Sequence, residues 1–147
     1  MKRFLSLTIA IMAFAAVMAT ASQAQTAGSQ TMRARIPFAF HVASKELPAG
    51  EYRITVLNPN SDHQVLQIRS LDGATSAIVT TFAAKAKVVE HSKLAFHRYG
   101  PSYYFAAAQV AGELTALTTI KSNAERTAAA AAARQGGKSV IAFVNTF

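Results

Sequence analysis

Four histidines, His41, His63, His91 and His97, are the side chains best suited to holding a metal ion. Two of them close identical tripeptides, Ala39-Phe40-His41 and Ala95-Phe96-His97. Side chains alternate between the faces of a strand, so an inward Phe in each tripeptide places each His outside. Two outward histidines on paired strands would give zinc or copper a start. Structural zinc takes four ligands, however, and no carboxylate or further histidine stands at a ligand spacing beside either one. No metal and no cofactor is expected. Catalysis has less support still. The chain has no G-x-S-x-G elbow, no glycine-rich phosphate loop and no H-E-x-x-H. Seven acidic residues are spread thinly; Glu46 and Glu51 flank one turn and could approach each other, but without a nucleophile or a pocket. With no cysteine anywhere, thiol chemistry, disulfides and lipid attachment after an export signal are excluded. The expectation is a non-enzyme.

The densest aromatic group is Tyr99, Tyr103, Tyr104 and Phe105 around Gly100-Pro101. A tyrosine combines a flat apolar face with a hydroxyl, so Tyr99, Tyr103 and Tyr104, with His97 and Arg98, form a candidate surface for a sugar or a peptide. The competing reading is that alternate members fill the core.

Lysine and arginine number 15 against 7 acids, a net charge of +8. Without Lys2 and Arg3 the balance is 13 against 7, near +6. Such a field favours anionic envelope components such as polysaccharide or lipid headgroups. The basic residues are scattered along the chain, with no run of five like charges and no tryptophan. A nucleic-acid module would show a concentrated basic stripe with stacking aromatics.

The chain must be delivered and folded before any of these side chains meet. Residues 1–24 have the order of a cleavable signal peptide: Lys2 and Arg3, an apolar run over 4–19, then small residues with cleavage sites at Ala19-Thr20-Ala21 and Ser22-Gln23-Ala24. The apolar run is shorter than the roughly 20 residues a membrane span needs. Export to the periplasm or beyond is therefore expected, with residues 25–31 as a loose leader and residues 32–147 as one domain. Over 32–42 the alternation Met32, Ala34, Ile36, Phe38, Phe40, Val42 marks a half-buried strand, with Pro37 requiring an edge or a bulge. Residues 46–52 form a turn in which Pro48 presets φ and Gly50 suits the fourth position. Strands follow at 52–57, 65–70 and 75–82, with turns at Asn58–Asp62 and Asp72-Gly73. Residues 93–99, 102–110 and 113–120 continue the extended pattern, and residues 83–92 are undecided. Ser122-Asn123-Ala124-Glu125 has the form of a capping box, six alanines follow at 128–133, and Gly136-Gly137 stops the helix. Residues 138–147 return to an apolar extended pattern. The fold expected is mainly β: an antiparallel β-sandwich or small β-barrel with one helix near the C-terminus.

Ile36-Pro37-Phe38-Ala39-Phe40-His41-Val42, Leu47-Pro48-Ala49-Gly50-Glu51-Tyr52, Lys93-Leu94-Ala95-Phe96-His97-Arg98-Tyr99-Gly100, Tyr103-Tyr104-Phe105 and, later, Ser122-Asn123-Ala124-Glu125 together resemble a group of small exported acidobacterial proteins of unknown function. In that group a signal peptide precedes a P-F-x-F strand, an LPAGxY turn and a KLxFxRYG strand. The resemblance covers roughly residues 36–126 and implies export and architecture rather than chemistry. The alanine helix and the apolar last strand depart from the group's pattern. The leading expectation is a non-catalytic, envelope-associated binding or structural module. Two rivals stand beside it: a β-barrel carrier of a small apolar ligand, from the inward Phe and Tyr, and a small outer-membrane barrel, from the last strand ending at Phe147. Against the latter stand the length that eight membrane strands require and the helix before the final strand.

Overall fold

The computed structural model describes residues 30–137 and 139–147; the expected signal peptide and residues 25–29 of the expected leader lie outside them. The described chain forms ten strands and one helix: β1 Thr31–Ile36, β2 Phe40–Val42, β3 Lys45–Leu47, β4 Gly50–Val56, β5 His63–Ser70, β6 Ser76–Lys85, β7 Lys93–Tyr99, β8 Ser102–Gln109, β9 Thr115–Thr119, helix α1 Asn123–Arg134, and β10 Val140–Asn145. All ten strands join one sheet. Neighbours run β1-β4-β5-β6-β9-β8, after which β8 is flanked by β7, itself paired to β10, and by the small β2–β3 hairpin. Pairing is antiparallel except at β2–β8, where His41 lies opposite Tyr104 in a parallel contact.

The sheet folds over on itself in a sandwich-like way and is not closed into a barrel. Its ends, β1 and β10, meet at a single bridge, Ala34–Thr146, and at the bond from the Phe147 N–H to the Arg33 carbonyl. Inward positions from around the sheet fill one core, among them Met32, Ala34 and Ile36 of β1, Tyr52, Ile54 and Val56 of β4, Leu66 and Ile68 of β5, Leu94 and Phe96 of β7, and Phe105 of β8. Phe38, Phe40, Tyr52, Phe96 and Phe105 meet edge to face in this core, with ring centroids 5.2–5.8 Å apart, a geometry aromatic rings prefer.

The expected strand over 32–42 is two strands. Its inward–outward alternation persists, but β1 ends at Ile36 and the chain leaves the ladder at Pro37, whose missing N–H cannot continue it. β1 begins at Thr31, opposite Thr55, so the ordered sheet reaches into the last residue of the expected leader. The β2–β3 hairpin was not expected: β2 is the end of the segment read as one strand, and β3, Lys45–Leu47, runs into the segment read as turn. Its connection is Ala43-Ser44, with Ala43 at φ 55°, a conformation that L-residues other than Gly, Asn and Asp seldom signal in sequence. The undecided residues 83–92 split, β6 extending to Lys85 and the remainder forming a loop. One residue of β8 is extra where Ala95 and Phe96 face Ala107 and Phe105. This bulge lets Phe105 point inward.

The LPAGxY turn has a physical explanation. Leu47 and Tyr52, at its two ends, are fully buried, and the Tyr52 hydroxyl donates 2.6 Å to the Pro48 carbonyl, closing the turn against the core. A Cβ on Gly50 would stand 3.6 Å from the Tyr52 ring, in ordinary contact. Tyr52→Phe is expected to keep the fold and lower unfolding free energy by about 1 kcal/mol, the usual worth of one such hydrogen bond; urea denaturation measures it.

Candidate functional site

Two side-chain clusters stand out, both on the outer face of the sheet. The first lies under the start of α1. Ser122 is the N-cap, its Oγ accepting the Glu125 N–H at 3.1 Å, as the capping box requires. The reciprocal half does not form. Instead of turning back to the Ser122 amide, the Glu125 carboxylate is buried against the sheet, where His97 Nδ1 lies at 2.7 Å and the Tyr99 hydroxyl at 3.3 Å from Oε1. Lys121 donates to the Tyr99 oxygen at 2.9 Å, and this bond holds the Lys121 ammonium above its ordinary pKa. Tyr104 packs beside Tyr99 and stacks on His41. Burial, followed by the charge of Glu125, raises the Tyr104 phenol above its usual range.

This cluster gathers His97, Tyr99 and Tyr104 but not Tyr103 or Arg98. Tyr103 faces the other side of β8, stacked on Phe38 at 3.8 Å, with the Arg98 guanidinium over it. The five residues therefore do not form one surface. Tyr99 and Tyr104 are only 6% and 7% exposed, because the first turn of α1 covers them. The hollow that Tyr104 lines together with His41, Ser122 and Glu125 holds about 10 Å³, near the minimum for a single water. The cluster is a latch without room for a substrate. Each His does point outward from its inward Phe, but His41 on β2 and His97 on β7 are separated by Tyr104 on β8, which is opposite both. They are not on paired strands. Among the described residues no three His, Asp or Glu side chains converge. Glu46 and Glu51 also stay apart, Glu46 opposite His41 and Glu51 bonded to Arg35 at 2.6 Å.

Beyond its first turn the helix is held loosely. Glu125 is its one buried residue, and Ala128, Ala129 and Ala132 are half-buried. Its end is a Schellman closure: Gly136 at φ 71° donates to the Ala133 carbonyl and Gly137 to that of Ala132.

The second cluster was not visible as a cluster in the sequence. The β1–β4 register sets Arg33 opposite Arg53, and the β4–β5 register sets Arg53 opposite Arg69. Three guanidinium groups thus leave the outer face in one row across three adjacent strands, all three residues exposed. Among the described residues none of them enters an ion pair. Along the strands, the next outward row is Thr31, Thr55 and Gln67; on the other side lies the Arg35–Glu51 pair. A hollow of about 360 Å³ opens beside the row, lined by Arg53, Arg69 and the β5–β6 turn at Asp72 and Gly73. The Asp72 carboxylate is engaged within its own turn by the Ser70 hydroxyl and the Ala74 N–H, and these bonds lower its pKa. Like charges directly opposite on a sheet destabilise it. The row is therefore costly to the fold, and a bound anion would offset the cost.

Comparison with protein-family models, with curated proteins and with solved structures found no match to this chain.

Two outcomes follow. Glu125→Ala should leave His97 and Tyr99 without their shared acceptor and free the helix, because a 12-residue helix is marginal alone. Amide exchange over Ala128–Ala133 is expected to lose its protection while that of β4 and β5 persists. Arg53→Gln, relieving repulsion on both sides, should raise stability by about 0.5 kcal/mol at low salt, and the gain should fade as salt screens the row; paired denaturation curves at two ionic strengths would show it.

Proposed function

We propose that this protein is an exported, non-catalytic, envelope-associated module that binds an anionic component through the Arg33–Arg53–Arg69 row. The observation that carries the reading is the register itself, which brings three residues, 20 and 16 positions apart in sequence, side by side on one exposed face. Arginine meets carboxylate, sulfate or phosphate with paired hydrogen bonds, and an excess of basic residues over the whole chain steers anions toward it. Export rests on the order of residues 1–24 and on the resemblance to small exported proteins.

The rival readings have less support. The hollow lined by the inward residues Met32, Val56, Ala108 and Leu117 holds about 140 Å³, against the 300 Å³ or more of typical small-molecule pockets; this weighs against an apolar-ligand carrier. A membrane barrel would turn Arg33, Arg53 and Arg69 toward lipid, at about 2–4 kcal/mol each near the bilayer midplane.

Retention on an immobilised acidic polymer tests the reading. The triple variant Arg33→Gln, Arg53→Gln, Arg69→Gln should elute at clearly lower salt than a control that loses three basic side chains elsewhere, Lys85→Gln, Arg126→Gln and Arg134→Gln. The two variants carry the same net charge, so equal elution would show that overall charge, and not the row, does the binding.

A further inference from the structure

Resting on the anion-binding reading of this face, we propose that its ligand is an extended acidic polysaccharide lying across β1, β4 and β5, perpendicular to the strands. Directly opposite residues on antiparallel strands are separated by about 4.5–5.5 Å between Cα atoms, so the row from Arg33 to Arg69 spans about 10 Å in two steps. A polymer bearing one carboxylate on each sugar repeats its charge on the same scale as this strand spacing, about 5 Å. Successive carboxylates can then take successive guanidinium groups.

One neighbouring row fits the same ligand. Thr55 and Gln67, opposite each other on β4 and β5, stand one outward position from Arg53 and Arg69. Their hydroxyl and amide both donate and accept, which suits the hydroxyl groups a sugar presents between its charges. The hollow between Arg53, Arg69 and the Asp72–Gly73 turn, about 360 Å³, lies in the lower range of small-ligand sites and receives one ring where the row ends.

Other polyanions fit less well. The outward positions of β1 and β4 and those of β5 from Val65 to Arg69 include no aromatic side chain. Single-stranded nucleic acid is held by base stacking on such rings, so the face lacks the means to grip it. A membrane-binding surface inserts apolar groups between its basic ones, whereas Arg33, Arg53 and Arg69 stand next to one another and are bordered along the strands by Thr55, Gln67 and the Arg35–Glu51 pair, with the exposed Leu71 only at the end of the row by the turn.

The test uses the protein isolated from its own cells and galacturonate oligomers of one to six units, with inorganic polyphosphate and phosphatidylglycerol vesicles as alternative anions. Calorimetry at low salt should show affinity rising about tenfold with each added unit up to three, then levelling. Arg33→Gln, Arg53→Gln or Arg69→Gln should each weaken the trimer about tenfold and shorten the rising part of the series by one unit. Thr55→Val should weaken the trimer several-fold while leaving polyphosphate binding unchanged. Oligomers that bind no better than the monomer, or a Thr55→Val variant that treats both anions alike, overturn the proposal. Binding of polyphosphate or vesicles with none of the oligomers overturns the polysaccharide assignment and leaves the anion-binding face intact. No binding to any of the three removes both.

Discussion

The register of β1, β4 and β5 depends on what their inward faces must bury. Met32 lies opposite Ile54, Ala34 opposite Tyr52, Ile54 opposite Ile68 and Val56 opposite Leu66, and all of these side chains are in the core. A slip of one residue between two strands would exchange every inward side chain for an outward one and drive arginines into the interior. Burying an unpaired guanidinium costs several kcal/mol. Hydrophobic burial thus fixes the pairing, and the pairing fixes the arginine row. Repulsion within the row is smaller than the penalty for such a slip, so the row persists although it adds nothing to the fold.

Glu125 shows the same logic at another place on the outer face, against β7. A carboxylate at the third helical position is favoured by the helix dipole and would ordinarily stay in water. Here it is almost fully buried, and buried charge requires partners. His97 and Tyr99 supply them, while Ser122 caps the same turn. One polar contact therefore replaces the apolar face that an alanine-rich helix lacks. The price is that the tyrosines closest in sequence to an exposed binding platform are covered.

Much of the architecture was legible because the physics is local. Period-two alternation located most of the strands, the Asp72-Gly73 pair located the β5–β6 connection, and Ser122 with Gly136-Gly137 bounded the helix within a residue or so. The β2–β3 hairpin was not legible, because Ala43 carries no sign in sequence of its left-handed backbone. Half of the arginine row was within reach. Arg53 and Arg69 are each eight residues from Ser61, inside the Asn58–Asp62 turn, so a hairpin centred there would have paired them. Arg33 was not, because β2 and β3 intervene between β1 and β4 and the pairing follows no single turn. The second half of the capping box failed for a non-local reason: a sequence window around Ser122 cannot see His97.

The meeting of β1 and β10 has a mechanical consequence. The ordered chain enters the sheet beside the point where it leaves, and the Arg33 carbonyl accepts the N–H of Phe147 while its side chain opens the guanidinium row. Tension applied between the two ends would fall first on the Ala34–Thr146 bridge and that bond, peeling them before loading the long β4–β5 and β5–β6 ladders. A polymer gripping Arg33, Arg53 and Arg69, as proposed, would cross β1, β4 and β5 like a strap and tie the strand at this weak seam to the two strands next to it. Were the proposed ligand in place, the module would resist such traction better than without it.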